Sequence, residues 1–261
     1  DLRALLLSSL AIGTTRLTNL LKSDDIEQMV AALKQLGVQL DLSADWRECT
    51  VTGNGGLFQP PKDSQFFLGN AGTAIRPLTA VLGLVPGEFE IDGDKYMRER
   101  PIAHLIDALK DLGAECRYLE KEGFPPFVLK GGLVKGGRIS IPGNISSQYL
   151  TALLMALPLT SDDSHISIVG EQVSKPYLDI TLGIMDTFSV KASHDGYQQF
   201  NIPGGQTYVS PGQYLIEGDA SSASYFFAGA AINGGHVRVH GLGEHSVQGD
   251  IRFLDAIEQM G

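Results

Sequence analysis

Four cations stand where helices begin, and that is where chemistry is most legible in this chain. The run Leu68-Gly-Asn-Ala-Gly-Thr-Ala-Ile-Arg-Pro77 passes from a small-residue loop into an apolar helix, with Arg76 expected in the helix's first turn. A helix N-terminus already presents unpaired N–H groups and partial positive charge, so a cation there opposes the dipole and suits an incoming anion. Arg3, Arg100 and Lys175 occupy comparable places in Asp1-Leu-Arg3, Arg98-Glu-Arg-Pro101 and Ser174-Lys-Pro176. Phosphate and carboxylate are the groups such side chains bind, and arginine does so through two parallel hydrogen bonds.

The elements that position these groups repeat. Gly69-Asn70-Ala71-Gly72-Thr73, Gly143-Asn144-Ile145-Ser146-Ser147-Gln148 and Gly218-Asp219-Ala220-Ser221-Ser222 each precede an apolar helix, at a spacing of about 75 residues. A second, amphipathic helix follows at Asp25–Leu36, Pro101–Leu112, Pro176–Phe188 and Asp250–Met260, three of them closed by glycine (Gly37, Gly113, Gly261). Short β-like runs lie between, among them Glu88–Ile91, Ile166–Val169 and His236–Val239. Each unit reads as helix, strand, helix, strand, strand, with the apolar helices buried beneath sheets. This arrangement predicts a domain over residues 1–215 and the opening of a second over 216–261. On the same reading, the chain starts inside its first unit and stops before its fourth is complete.

The repeat supplies its own control. Whatever the fold needs should recur in every unit. Units 1 and 4 open their second helices on acids, Ser23-Asp24-Asp25 and Gln248-Gly249-Asp250, whereas units 2 and 3 use Arg100 and Lys175. The cations are therefore read as ligand groups. Ser146, Ser147 and Ser174 serve equally as helix N-caps or as donors to an anion. Gln148 is more telling, because unit 4 has Ala223 at that place.

Composition narrows the class. The chain has 261 residues, 43% hydrophobic and 19% charged, with net charge −10. That excludes a general nucleic-acid or membrane surface and leaves anion binding to a local cluster. Cys49 and Cys116 are too few for a disulfide framework and read as buried thiols in strands. Six histidines, His104 among them, show no metal-ligand spacing, and neither GxxxxGK[ST] nor GxGxxG occurs. No nucleophile–base pair stands out, and a reducing cytoplasm is the expected setting.

Together, Leu68–Pro77, Arg98–Pro101, Ser146-Ser-Gln148, Val173-Ser-Lys-Pro-Tyr177 and Glu217-Gly-Asp-Ala-Ser-Ser-Ala-Ser224 closely resemble the EPSP synthases of the enolpyruvyl transferase family. The related UDP-N-acetylglucosamine enzymes use a loop cysteine that neither Cys49 nor Cys116 matches. The resemblance implies an α/β fold of βαβαββ units about a pseudo-threefold axis, an inside-out barrel with buried helices under mixed sheets. It implies transfer of the enolpyruvyl group of phosphoenolpyruvate to the 5-hydroxyl of shikimate 3-phosphate in aromatic amino-acid biosynthesis. Carried over by motif, Arg3, Ser146, Ser147, Gln148, Ser174 and Tyr177 would hold shikimate 3-phosphate. Asn70, Gly72, Thr73, Arg76, Arg100 and Gln148 would face phosphoenolpyruvate. Gly72 and Pro77 match the loop of glyphosate-sensitive enzymes. The resemblance implies no metal or cofactor, no nucleic-acid or membrane partner, and a monomer when full length. It also implies departures: the lysine–serine loop before the first helix is missing, and the proton-transfer carboxylates belong to a C-terminal half outside these residues. An isolated fragment would then act as a shikimate 3-phosphate binding module without turnover.

Overall fold

A computed structural model describes residues 1–243 and 246–261. Its first unit runs α1 (Leu2–Leu10), β1 (Thr14–Thr18), α2 (Asp24–Gln35), β2 (Gln39–Leu42) and β3 (Glu48–Thr52). The second runs β4 (Gln65–Phe67), α3 (Gly72–Leu82), β5 (Gly87–Asp92), α4 (Ala103–Asp111), β6 (Glu115–Tyr118) and β7 (Phe127–Gly131). The third runs β8 (Arg138–Pro142), α5 (Ser147–Ala156), β9 (Ser164–Val169), α6 (Lys175–Thr187), β10 (Ser193–Asp195) and β11 (Gln199–Ile202). Then come β12 (Gln213–Leu215), α7 (Ala220–Asn233) and α8 (Phe253–Met260).

Three four-stranded sheets share one topology: β4-β5-β7-β6, β8-β9-β11-β10 and β12-β1-β3-β2. In each, the first two strands are parallel and the others antiparallel. In the first unit's sheet the strand beside β1 is β12, which pairs parallel to it with Leu17 opposite Tyr214. The far end of the third unit thus completes the sheet of the first.

The helices fill the space between sheets. α1, α3 and α5 are apolar on nearly every side and are buried along most of their lengths. α3 packs on α5, α5 on α6, and α1 on α2, α3 and α6. The second helices are two-faced: in α4, Leu105, Ile106, Ala108 and Leu109 are buried, with Asp107 and Lys110 outside. Sequence chemistry sets their ends. Ser23 caps α2 by accepting from the Ile26 N–H, three acids occupy its first turn, and Lys34 sits in its last. Gly37 and Gly113 end α2 and α4 at φ +83 and +111. At the equivalent place after α6 a serine, Ser189, adopts φ +66.

Two expectations change. His236–Val239 joins no sheet among the described residues, and His236, Val237 and Arg238 are exposed. The fourth unit's second helix is a 3-10 turn, Gly249–Arg252, followed by the shorter α8.

Candidate anion cleft at converging helix N-termini

The N-terminal residues of six helices meet around one cleft of about 840 Å³. Asp1, Leu2 and Arg3 come from α1, Ser23, Asp25 and Ile26 from α2, and Gly72 and Thr73 from α3. Ser146, Ser147 and Gln148 come from α5, Ser174 and Tyr177 from α6, and Asp219 from the cap of α7. Pro77 and Thr151 line it one turn deeper. Six helix dipoles therefore direct their positive ends at one space, which favours a polyanion there. The three carboxylates on its wall are each occupied. Asp1 accepts from the Arg3 N–H at 2.9 Å, Asp219 from the Ser221 N–H at 3.1 Å, and Asp25 from the Thr73 hydroxyl at 2.6 Å.

The donors are arranged for a guest. The Arg3 side chain is 21% exposed, with Nη1 3.5 Å from Asp1 Oδ2, and its Nε is buried without a partner. Burial lowers its pKa, and nearby Tyr214 and Tyr177 pull it back; the guanidinium stays charged. Ser146 caps α5, accepting from the Gln148 N–H at 3.2 Å, which leaves its hydroxyl proton for another acceptor. Ser174 stands at the cap position of α6 yet forms no capping bond, and its backbone is left-handed at φ +56. That conformation is rare for a residue with a Cβ and collects at functional sites. Ser174 therefore presents its hydroxyl to the cleft rather than to its own helix.

Arg100 follows the 3-10 turn Met97–Glu99, where the coming Pro101 holds it extended at φ −96, ψ +122. It forms no ion pair among the described residues. Its Nη1 lies 2.5 Å from where a Cβ on Gly72 would stand, so the guanidinium crosses directly over the loop glycine. Only glycine leaves it that place.

Of the four cations only Arg3 lines the cleft; Arg100 lies beside it over Gly72, and the other two point elsewhere. Lys175 turns away from the cleft to Glu171 at 3.6 Å and to the face of the Tyr197 ring at 5.7 Å. Arg76 lies in the second turn of α3, not the first, and is 7% exposed. It does not line the cleft. Its Nη1 donates to Gly72 O and Gln148 Oε1, both at 2.8 Å, and Nη2 to Pro101 O at 3.3 Å. Asn70 also stays off the cleft wall, its carbonyl accepting from the Gly72 N–H. Arg98, neighbour to Arg100, is spent on Asp92 at 2.6 Å and Glu120 at 2.7 Å.

Asp25, Ser23 and Leu21 join the wall although their sequence reads as a helix cap. The repeat carries the missed signal, since Ser23-Asp24-Asp25 occupies the place held by Arg100-Pro101 and Ser174-Lys175 in the next units. Neither cysteine is near. Cys49 in β3 and Cys116 in β6 have thiols that burial pushes up to about 11, which suits packing and not nucleophilic attack.

The fold and the cleft define a class: an α/β repeat protein in which helix N-termini from successive units enclose one cleft. The chain matches the family described as EPSP synthase (3-phosphoshikimate 1-carboxyvinyltransferase) over residues 2–261, and it belongs to that family. It is 58% identical over 259 residues to the 3-phosphoshikimate 1-carboxyvinyltransferase of Aliivibrio fischeri (strain MJ11), covering 99% of this chain and 61% of the relative. A relative of the same description from Photobacterium damsela subsp. piscicida is 59% identical over 259 residues, with the same coverage. The chain thus spans about 61% of the length of these relatives. The fold matches a solved EPSP synthase from Acinetobacter baumannii at TM-score 0.86 and 24% identity, over 100% of this chain and 56% of that one. Among the described residues, no helix is long and apolar enough to cross a membrane.

Proposed function

We propose that this chain forms the shikimate 3-phosphate side of an enolpyruvyl transfer site. In the full-length protein, the enolpyruvyl group of phosphoenolpyruvate passes to the 5-hydroxyl of shikimate 3-phosphate, releasing phosphate. The observation that carries the reading is the convergence of six helix N-termini with Arg3, Gln148 and four serines on one cleft. A polyanion placed there meets backbone N–H groups, hydroxyl donors and a guanidinium at once.

Residues 1–215 serve as the substrate-binding domain, and 216–261 open a second. Arg3, Ser146, Ser147, Gln148, Ser174 and Tyr177 hold shikimate 3-phosphate. Gly72, Thr73, Arg100 and Gln148 face phosphoenolpyruvate beside it, with Asn70 shaping the loop. Arg100 forms no ion pair or side-chain hydrogen bond among the described residues, so it is available to the carboxylate or phosphate of that second anion. Its charge then stabilises the phosphate as the tetrahedral adduct forms. Glyphosate, an anion of similar size, competes at the same place, where Gly72 and Pro77 set its fit. The protein is cytoplasmic and, when full length, monomeric.

The full-length protein should release phosphate from phosphoenolpyruvate only with shikimate 3-phosphate present, and residues 1–261 alone should release none. Arg100→Ala should raise KM for phosphoenolpyruvate at least tenfold, as about 1.4 kcal/mol or more of charge-assisted binding is lost. An unchanged KM contradicts the assignment of Arg100, and turnover at full rate by residues 1–261 contradicts the half-site reading.

A further inference from the structure

Arg76 presents a puzzle: a guanidinium 7% exposed, between helices, with no carboxylate among its partners. A buried cation is costly unless its donors are satisfied, and its Nε is not. Three of its contacts explain its place. One carbonyl belongs to Gly72, over which Arg100 lies. A second belongs to Pro101, the residue after Arg100. The third acceptor is the side-chain oxygen of Gln148, which lines the cleft.

Tyr149, the next residue along α5, completes the arrangement. Its ring lies 5.4 Å from the Arg76 guanidinium, and its hydroxyl donates to the same Pro101 carbonyl at 2.8 Å. Tyr149 is 3% exposed, and His104 from α4 abuts the ring at 5.7 Å. One buried pair therefore ties α3, α5 and the loop before α4 together.

The geometry points to Arg76 and Tyr149 as positioning residues that hold Gln148 and the Arg100–Pro101 peptide toward phosphoenolpyruvate without touching it. Arginine can only donate, so it fixes the Gln148 amide with its oxygen inward. The Gln148 NH2 then has no protein acceptor among the described residues and serves the ligand. The double anchor on the Pro101 carbonyl fixes where Arg100 leaves the chain. The inference rests on the proposed reading of the cleft.

A double-mutant cycle in the full-length protein tests it, with KM for phosphoenolpyruvate measured at saturating shikimate 3-phosphate. Arg76→Lys keeps the charge and loses the planar fork. It should raise KM about fivefold, the worth of one hydrogen bond, with kcat changed less than twofold. In a Gln148→Ala background the same substitution should raise KM by clearly less than fivefold, because the part of its effect that runs through Gln148 is gone and only the Pro101 anchor remains. Losses that multiply would overturn the inference and make Arg76 a direct ligand. An unchanged KM in the single variant would overturn it as well. Should Arg76→Lys fail to fold, the milder Tyr149→Phe with Arg100→Ala decides by the same criterion. Calorimetric binding of shikimate 3-phosphate to the unaltered protein separates the two claims. If that binding is absent, the cleft reading fails; if it is present and losses multiply, only this inference fails.

Discussion

At the residue scale, Gly72 and Arg100 form a steric pair whose consequence is specific. A methyl group on residue 72 would meet Arg100 Nη1 at 2.5 Å and Arg76 Nη1 at 3.0 Å. Both are the far ends of long side chains, which can move without unfolding the protein. Gly72→Ala should therefore leave the thermal midpoint within about 3 °C and raise KM for phosphoenolpyruvate more than tenfold. A large loss of stability with unchanged KM would show that the loop glycine serves only the fold. The cysteines give a pH prediction. The Cys49 thiol titrates at 9.0 ordinarily and at about 11 when buried in the fold. Unfolded chains bind fewer protons in that window, so stability is intact below pH 9 and falls as pH rises toward 11. By pH 10 the loss is about 1 kcal/mol from Cys49, so the gap between urea midpoints at pH 8 and 10 should narrow in Cys49→Ala and narrow further when Cys116, which carries the same shift, is replaced too. Residue types at helix starts were legible in the sequence, and the structure gathers Arg3, Gly72, Thr73, Ser146, Ser147, Gln148, Ser174 and Tyr177 on one wall. The direction of long side chains was not. Arg76 and Lys175 bend to acceptors from other elements, Gln148 and Pro101 for one and Glu171 for the other.

At the element scale, the repeat shows in the glycines that close each unit. A Cβ on Gly53, at the end of β3, would overlap the carbonyls of Ala11 and Ser8 at the end of α1. Gly131, ending β7, meets the carbonyls of Leu82 at the end of α3 and Val85 just beyond it, and Gly204, after β11, meets Thr160 and Asp162 after α5. Each last strand crosses directly over the C-terminus of its unit's buried helix, and only glycine permits that approach. These neighbours are backbone, so they cannot yield as Arg100 can. Gly131→Ala should cost about 3 kcal/mol in urea unfolding or prevent folding. Gly183, in the middle of α6 with nothing within 4 Å of its Cβ position, is the contrast. Gly183→Ala should stabilise by about 0.5–1 kcal/mol, and a loss there would count against the helix assignment. The period, the alternation of apolar and two-faced helices and their glycine stops were readable because they are local. The strand β12 closing the first sheet was not, since a pairing from Arg16 to Gln213 leaves no local pattern. His236–Val239 alternates like a strand and has no partner to pair with among the described residues.

At the scale of the whole molecule, α7 departs from its three counterparts. It has the same apolar character as α1, α3 and α5, yet Tyr225 is 80%, Phe226 64% and Ile232 82% exposed. Its described neighbours are the 3-10 turn Gly249–Arg252 and α8. Contiguous apolar surface of this kind favours association. Sedimentation of residues 1–261 should show mass rising with concentration, and Phe226→Ser with Ile232→Ser should return it to a monomer. The central claim, that helix N-termini from six elements enclose a site for a phosphorylated sugar-like acid, has a more direct test. Chemical shifts of residues 1–261 titrated with shikimate 3-phosphate should move first at the amides of Ser146, Ser147, Gln148 and Ser174, saturably. The side-chain resonances of Lys175 and Arg98, which the structure turns to Glu171 and to Asp92 and Glu120, should respond far less. If the four amides stay still at millimolar ligand, the cleft is not the site, and the proposed function fails with it.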